Sequence, residues 1–165
     1  MLKVQRIIGN IFDDPALAKE FESNTHNENY KTIHVLRHDL EKTRLKQKAS
    51  DGTAIGINIE HDKKMMHGDV LYGDDVKVLI RQVPEPTITV RFAGLEPRSL
   101  ILLGHIIGNL HRPVSLGNDS ISIPIHSEAE IDMFRSAFRD LADKIDLVQE
   151  EKIFQPHKSM DVHGH

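Results

Sequence analysis

A mixed α+β protein of two unlike parts is the fold class this sequence predicts, and three observations predict it. Val83-Pro84-Glu85-Pro86 places two prolines close together in mid-chain, which forces an extended connector and removes backbone donors. Before this connector, short β-prone runs alternate with turn signals. After it, the order becomes strand, helix, strand, strand, helix, strand. The expected boundaries are a mostly-β domain over 1–84, a ferredoxin-like βαββαβ domain over 85–155 with two helices on one face of an antiparallel sheet, and a flexible histidine-bearing tail over 156–165.

In the first part, strands are expected at Val4 to Ile8, Ile33 to Arg37, Arg44 to Ala49, Thr53 to Ile59, Val70 to Tyr72 and Val76 to Gln82. Asp13-Asp14-Pro15 predicts a short helix to Glu22, with Asp14 as cap and Pro15 at the first helical position. An exposed loop from Ser23 to Tyr30 follows. Asp51-Gly52 predicts a hairpin with a primed turn, because glycine readily takes positive φ, and Asp74-Asp75 predicts a second tight reversal. In the second part, strands are expected at Thr87 to Phe92, Val114 to Leu116, Ile121 to Ile125 and Ile145 to Phe154, with helices over Pro97 to Leu110 and Glu128 to Asp143. Ser127 and Glu130 have capping-box spacing, and Ile131, Phe134, Phe138 and Leu141 share one face of that helix.

Across 165 residues there are eleven histidines and no cysteine, so disulfides, thiolate metal sites and cysteine nucleophiles are excluded. Any transition-metal chemistry must rest on imidazole and carboxylate. Hydrophobic residues at 39% against 28% charged describe a soluble globular chain. No apolar run is long enough for a membrane span and no signal-peptide core follows Met1, so a cytoplasmic protein is expected. The formal charge of −4 falls wholly in the second part, since residues 1–84 carry 13 basic and 13 acidic side chains while 85–165 carry 8 and 12. That part repels phosphate and attracts cations. It also lacks the paired strand aromatics that stack bases, which argues against nucleic acid. No glycine-rich phosphate loop, His-Glu-x-x-His pair or Gly-x-Ser-x-Gly elbow occurs.

The most informative stretch is Leu100 to His111. Leu103, Ile106, Ile107 and Leu110 form a face suited to a sheet, while Gly104, Gly108 and His111 share a neighbouring stripe. Two glycines inside a helix cost about 1 kcal/mol each against alanine, so they need a packing reason. Either another backbone of the same domain comes close, or the stripe meets its own copy across a twofold axis, where one histidine per chain becomes two ligands. His111, at the helix end before Arg112-Pro113, is either a capping histidine or a ligand favoured by the negative end of the helix dipole. His163-Gly164-His165, with His157, is a second candidate cluster on the tail. His126 ends a strand that could approach His111. His105 is read as a packing residue, and His26, His34, His38, His61 and His67 receive no role.

Together, Ile8-Gly9-Asn10, Asp51-Gly52 with Ile55-Gly56-Ile57, His67-Gly68-Asp69-Val70-Leu71-Tyr72 and Gly108-Asn109-Leu110-His111 with Pro113 resemble the nickel metallochaperones that serve urease maturation. The resemblance spans nearly the whole chain. The family's usual helix-end form is Gly-Asn-Arg-His, so Leu110 departs from it, and an arginine appears instead at Arg112. The resemblance implies a first domain that binds peptides or partners and a second that dimerises through His111. It also implies metal ligands at His111, His163 and His165, with His126 at a further family position where Glu128 stands in for a second histidine. It implies, too, delivery of Ni(II), with Zn(II) bound less specifically, to an accessory GTPase and the urease apoprotein complex, and no catalysis.

Imidazole-only ligation suits such a task, because it keeps exchangeable positions and releases metal as imidazoles take up protons below about pH 6–7. Two rival readings remain at this level: a small metal-dependent hydrolase using His111 and His126 around an activated water, and an interaction protein that binds no metal.

Overall fold

A computed structural model describes residues 1–157. It is mixed α+β, mostly sheet with three α-helices. Backbone contacts divide it into two units, Met1–Val83 and a second that begins at Pro84.

In the first unit, β1 (Leu2–Val4), β5 (Ala54–Asn58) and β4 (Arg44–Lys48) form a three-stranded sheet in the order β1-β5-β4. A second sheet has the order β2-β6-β7-β3, from β2 (Arg6–Asn10), β3 (Tyr30–Val35), β6 (Asp69–Gly73) and β7 (Val76–Gln82). The strand expected over Val4 to Ile8 is therefore two strands in two sheets. The break is at Gln5, whose N–H bonds to the Tyr72 carbonyl at 3.1 Å, so the chain leaves β5 and joins β6. The crossing brings backbones so close at Gly73 that a Cβ there would lie 2.2 Å from the Lys3 carbonyl oxygen.

The core alternates as strands require. Leu71, Val78 and Ile80 meet Val4, Ile55 and Ile57 between the sheets. Val70 and Leu79 point the other way, onto Leu17 and Phe21 of α1 (Pro15–Ser23). Asp14 caps α1 as expected, its Oδ1 accepting from the N–H groups of Ala16 and Leu17. Asp74 and Asp75 both have positive φ, 48° and 58°, the requirement of a two-residue primed turn. The Asp51-Gly52 reversal is longer than that. Ala49 N–H bonds to the Thr53 carbonyl, which leaves Ser50, Asp51 and Gly52 as a three-residue loop closed by Gly52 at φ 89°.

In the second unit, β8 (Glu85–Arg91), α2 (Pro97–Asn109), β9 (Ser115–Leu116), β10 (Ser120–Pro124), α3 (Ala129–Ala137) and β11 (Asp146–Lys152) follow in order. The sheet is antiparallel, in the order β11-β8-β10-β9. Ile88, Val90 and Ile123 on one face pack with Leu103 and Ile107 of α2 and Phe134 of α3. The second helix is shorter than its periodicity suggests. It ends at Ala137 and a 3-10 turn over Arg139–Leu141 follows, which keeps both Phe138 and Leu141 in the core. The expected capping box is absent. Ser127 makes no cap, Glu128 occupies that position with helical dihedrals, and the Glu130 carboxylate is engaged elsewhere.

No helix among the described residues is long and apolar enough to cross a membrane.

Candidate metal centre

Leu103 and Ile107 seat α2 on its sheet, which turns Ile101, Gly104, His105 and Gly108 outward. Ile101 is 75% exposed. A Cβ built at Gly104 or Gly108 would meet nothing within 4 Å, so packing within the unit does not explain these two glycines. The stripe is bare and open. His105 lies on it, its Nε2 3.2 Å from the Asn109 amide nitrogen, rather than packing inward.

At the end of α2 the Leu110 N–H bonds to Ile107 O at 3.1 Å and the His111 N–H to Gly108 O at 3.3 Å. His111 has φ 52°, in the left-handed region where helices usually end on glycine or asparagine. Its backbone thus closes the helix, while its ring is exposed and makes no hydrogen bond among the described residues.

The next residue fixes this end of the helix. Arg112 forms a bidentate pair with Glu130, Nη1 to Oε2 at 2.7 Å and Nη2 to Oε1 at 2.8 Å. Its Nη1 also donates to the Pro124 carbonyl at 3.3 Å, and the guanidinium lies 5.5 Å from the Phe134 ring centre. Glu130 Oε2 in turn accepts the His126 N–H at 3.0 Å. One half-buried ion pair therefore ties the turn carrying His111 to the strand end carrying His126. The hydrogen bond from Arg112 holds the Glu130 carboxyl down at about 2, against the opposing effect of burial. Capping-box spacing points to Glu130 as a cap residue, and the structure gives it to Arg112 instead. An arginine after a helix end and an acid in a later first turn carry no local signal of pairing.

The two candidate histidines do not share a cleft. His126 lines a shallow groove with Glu128, Glu150 and Glu151 that does not include His111. Among the described residues, no three histidine or acidic side chains are grouped closely enough to hold a metal ion. His163 and His165 lie outside the described residues. His157 is tied by its backbone N–H to the Val114 carbonyl at 2.8 Å.

The motif residues of the first unit hold a turn together. The Asn10 side-chain amide donates to the His67 carbonyl and to Asp69 Oδ1, at 3.0 and 2.9 Å. The other Asp69 oxygen accepts the Met66 N–H at 2.7 Å, and His67 Nδ1 accepts the Gln82 N–H at 3.0 Å. Burial raises the Asp69 carboxyl and lowers the His67 ring from their ordinary values, and hydrogen bonds from Asn10 and Met66 counter the first.

Residues 4–83 match the family model described as the UreE urease accessory protein, N-terminal domain. A protein named urease accessory protein UreE 1 from Pseudomonas syringae pv. tomato is 28% identical over 129 residues, covering 76% of this chain and 85% of that protein. One named urease accessory protein UreE from Ureaplasma urealyticum is 27% identical over 127 residues, covering 75% and 77%. Another of that name, from Flavobacterium johnsoniae, is 30% identical over 84 residues, covering 48% of each chain.

Proposed function

We propose that this chain, which is similar to UreE urease accessory proteins over its first unit and, at 28% identity, over 76% of its length, serves urease maturation and carries Ni(II), or Zn(II) less specifically, between paired His111 side chains of a homodimer. It is an accessory metallochaperone and not an enzyme. The observation that carries the nickel reading is the state of His111, an exposed, unbonded ring held on a left-handed turn at the end of a bare glycine stripe. On an isologous contact along that stripe, each chain supplies one imidazole beside the axis.

In this reading the second unit is a ferredoxin-like metal-binding and dimerisation domain over 85–155, supported by its strand order and the helices on one face. His163 and His165 close the shell from the tail over 156–165, and His126 is the further ligand that the Arg112–Glu130 pair keeps in place. The β-rich unit over 1–84 binds partners, and the metal passes to the accessory GTPase and the urease apoprotein complex in the cytoplasm. A releasable donor set suits a carrier, since imidazole arms detach one at a time and lose metal as they protonate.

Calorimetric titration of tag-free protein with Ni(II) tests the proposal. His111→Ala is expected to lose most of the affinity and to change the stoichiometry, whereas truncation after Pro156 weakens binding without abolishing it. Equal binding by His111→Ala overturns the reading. Loss on truncation alone makes the tail the primary site.

A further inference from the structure

The outward side of the β1-β5-β4 sheet carries charge of one sign. Strand register sets its side chains in rows, with Lys48 beside Ala54, Lys46 and Lys3 flanking Gly56, and Arg44 beside Asn58. The three strands contain four cations and no carboxylate, although the unit as a whole is balanced. None of Lys3, Arg44, Lys46 and Lys48 has an ion-pair partner among the described residues. Arg44 Nε donates to Asn58 Oδ1 at 3.2 Å, and Asp74 takes only the backbone N–H of Lys3, at 2.8 Å. A shallow pocket opens over Gly56, bounded by Met1, Lys3, Arg44 and Lys46, with no aromatic residue in its lining. Lysine on an edge strand discourages edge-to-edge pairing. That role calls neither for the exclusion of every carboxylate nor for a glycine floor between two cations.

We propose that this face docks an extended acidic segment of a protein partner. Carboxylates on alternate residues of an extended chain lie ~6.8 Å apart, the same spacing as Arg44, Lys46 and Lys48 along β4. Two strand spacings place Lys3 and Lys46 about 10 Å apart, so a backbone can pass between them once the flexible Met1 side-chain tip, which lies over Gly56, swings aside. The lining has nothing for bases to stack on, which favours a peptide over a single-stranded nucleic acid. The proposal deepens the partner-binding role read for the first unit and is independent of where nickel sits.

Fluorescence anisotropy with the full chain and a labelled peptide of alternating glutamate and threonine tests it, beside a glutamine-for-glutamate control and a thymidine oligonucleotide of equal charge. The acidic peptide is expected to bind in a salt-sensitive manner, and the control to bind at least tenfold more weakly. Lys46→Glu should weaken binding at least tenfold; Lys46→Gln, the test if the charge reversal fails to fold, should weaken it about threefold. Gly56→Val should also weaken it, because the new side chain fixes bulk on the floor where the movable Met1 side-chain tip now lies. Nickel calorimetry on the same variants should not change. No binding, binding unaffected by Lys46→Glu and Lys46→Gln, or oligonucleotide binding as tight as the peptide overturns the proposal. A failure of nickel binding with peptide binding intact strikes the metal reading alone.

Discussion

His111 carries two roles that pull in different directions. As a residue at φ 52° it pays a conformational cost of roughly 1–2 kcal/mol that glycine at the same place would not. As the exposed ring at the end of α2 it is the proposed ligand. His111→Gly separates the two. We expect the variant to gain about 0.5–1 kcal/mol in urea unfolding, after allowing for glycine's larger unfolded-state entropy, while losing nickel binding in calorimetry. A variant that loses both stability and binding would show that the ring, and not the turn, holds the helix end. The sequence made the position legible, because a histidine just before Arg112-Pro113 at the end of a periodic apolar run can only sit at a helix terminus. It did not make the backbone conformation legible, since nothing local distinguishes a left-handed histidine from one still inside the last turn. Local pattern also identified Asp14, and rightly, because its hydrogen bonds reach only two and three residues along the chain.

The joint between α2, β10 and α3 depends on Arg112 and Glu130, residues far enough apart in the chain that spacing could not pair them. The reading of Glu130 as half of a capping box used the right residue type at the right offset, but the helix starts one residue later than that box requires, and the carboxylate turns to Arg112 and to the His126 N–H instead. The pH dependence follows from the direction of the shift. Glu130 titrates at about 2 in the folded chain, below the ordinary value of 4.5, so its stabilisation is complete above about 4.5 and is lost as pH falls through about 2. Glu130→Gln is expected to cost about 1–3 kcal/mol at pH 7, with the gap to the parent chain narrowing steadily between pH 4.5 and 2 in urea titrations. A gap that stays constant with pH would mean that the pair contributes packing and not charge. The bare stripe on α2 was legible only as a choice between packing within the domain and an interface with a second copy. The open space at Gly104 and Gly108 removes the first alternative.

Across the whole chain, hairpins were legible and long-range pairings were not. The reversals at Asp51-Gly52 and Asp74-Asp75 join neighbouring strands, and turn chemistry marks them. The parallel pairs β1 with β5 and β3 with β7 bring together strands with other elements between them, and no residue in either partner announces the other. For the same reason the β-prone pattern over Val4 to Ile8 reads as one continuous strand, whereas the chain changes sheets at Gln5. Gly73 is what allows that change, and Gly73→Ala is expected to destabilise the first unit by about 3 kcal/mol, because the new methyl would also come within 2.7 Å of the Val4 Cα. Thermal unfolding followed by far-ultraviolet circular dichroism checks this, and a shift of less than a few degrees would mean that the crossing can relax. The pairing of β1 with β5 has a further consequence for biosynthesis. Leu2–Val4 leaves the ribosome well before its partner Ile55–Ile57, with three more strands and an α-helix made in between. During that interval Leu2 and Val4 have no strand to pack and pair with, and closure of the first sheet must wait for a contact of high order. The nascent chain is most exposed to holdase capture in that window, and faster docking of the first residues would shorten it without altering the finished fold.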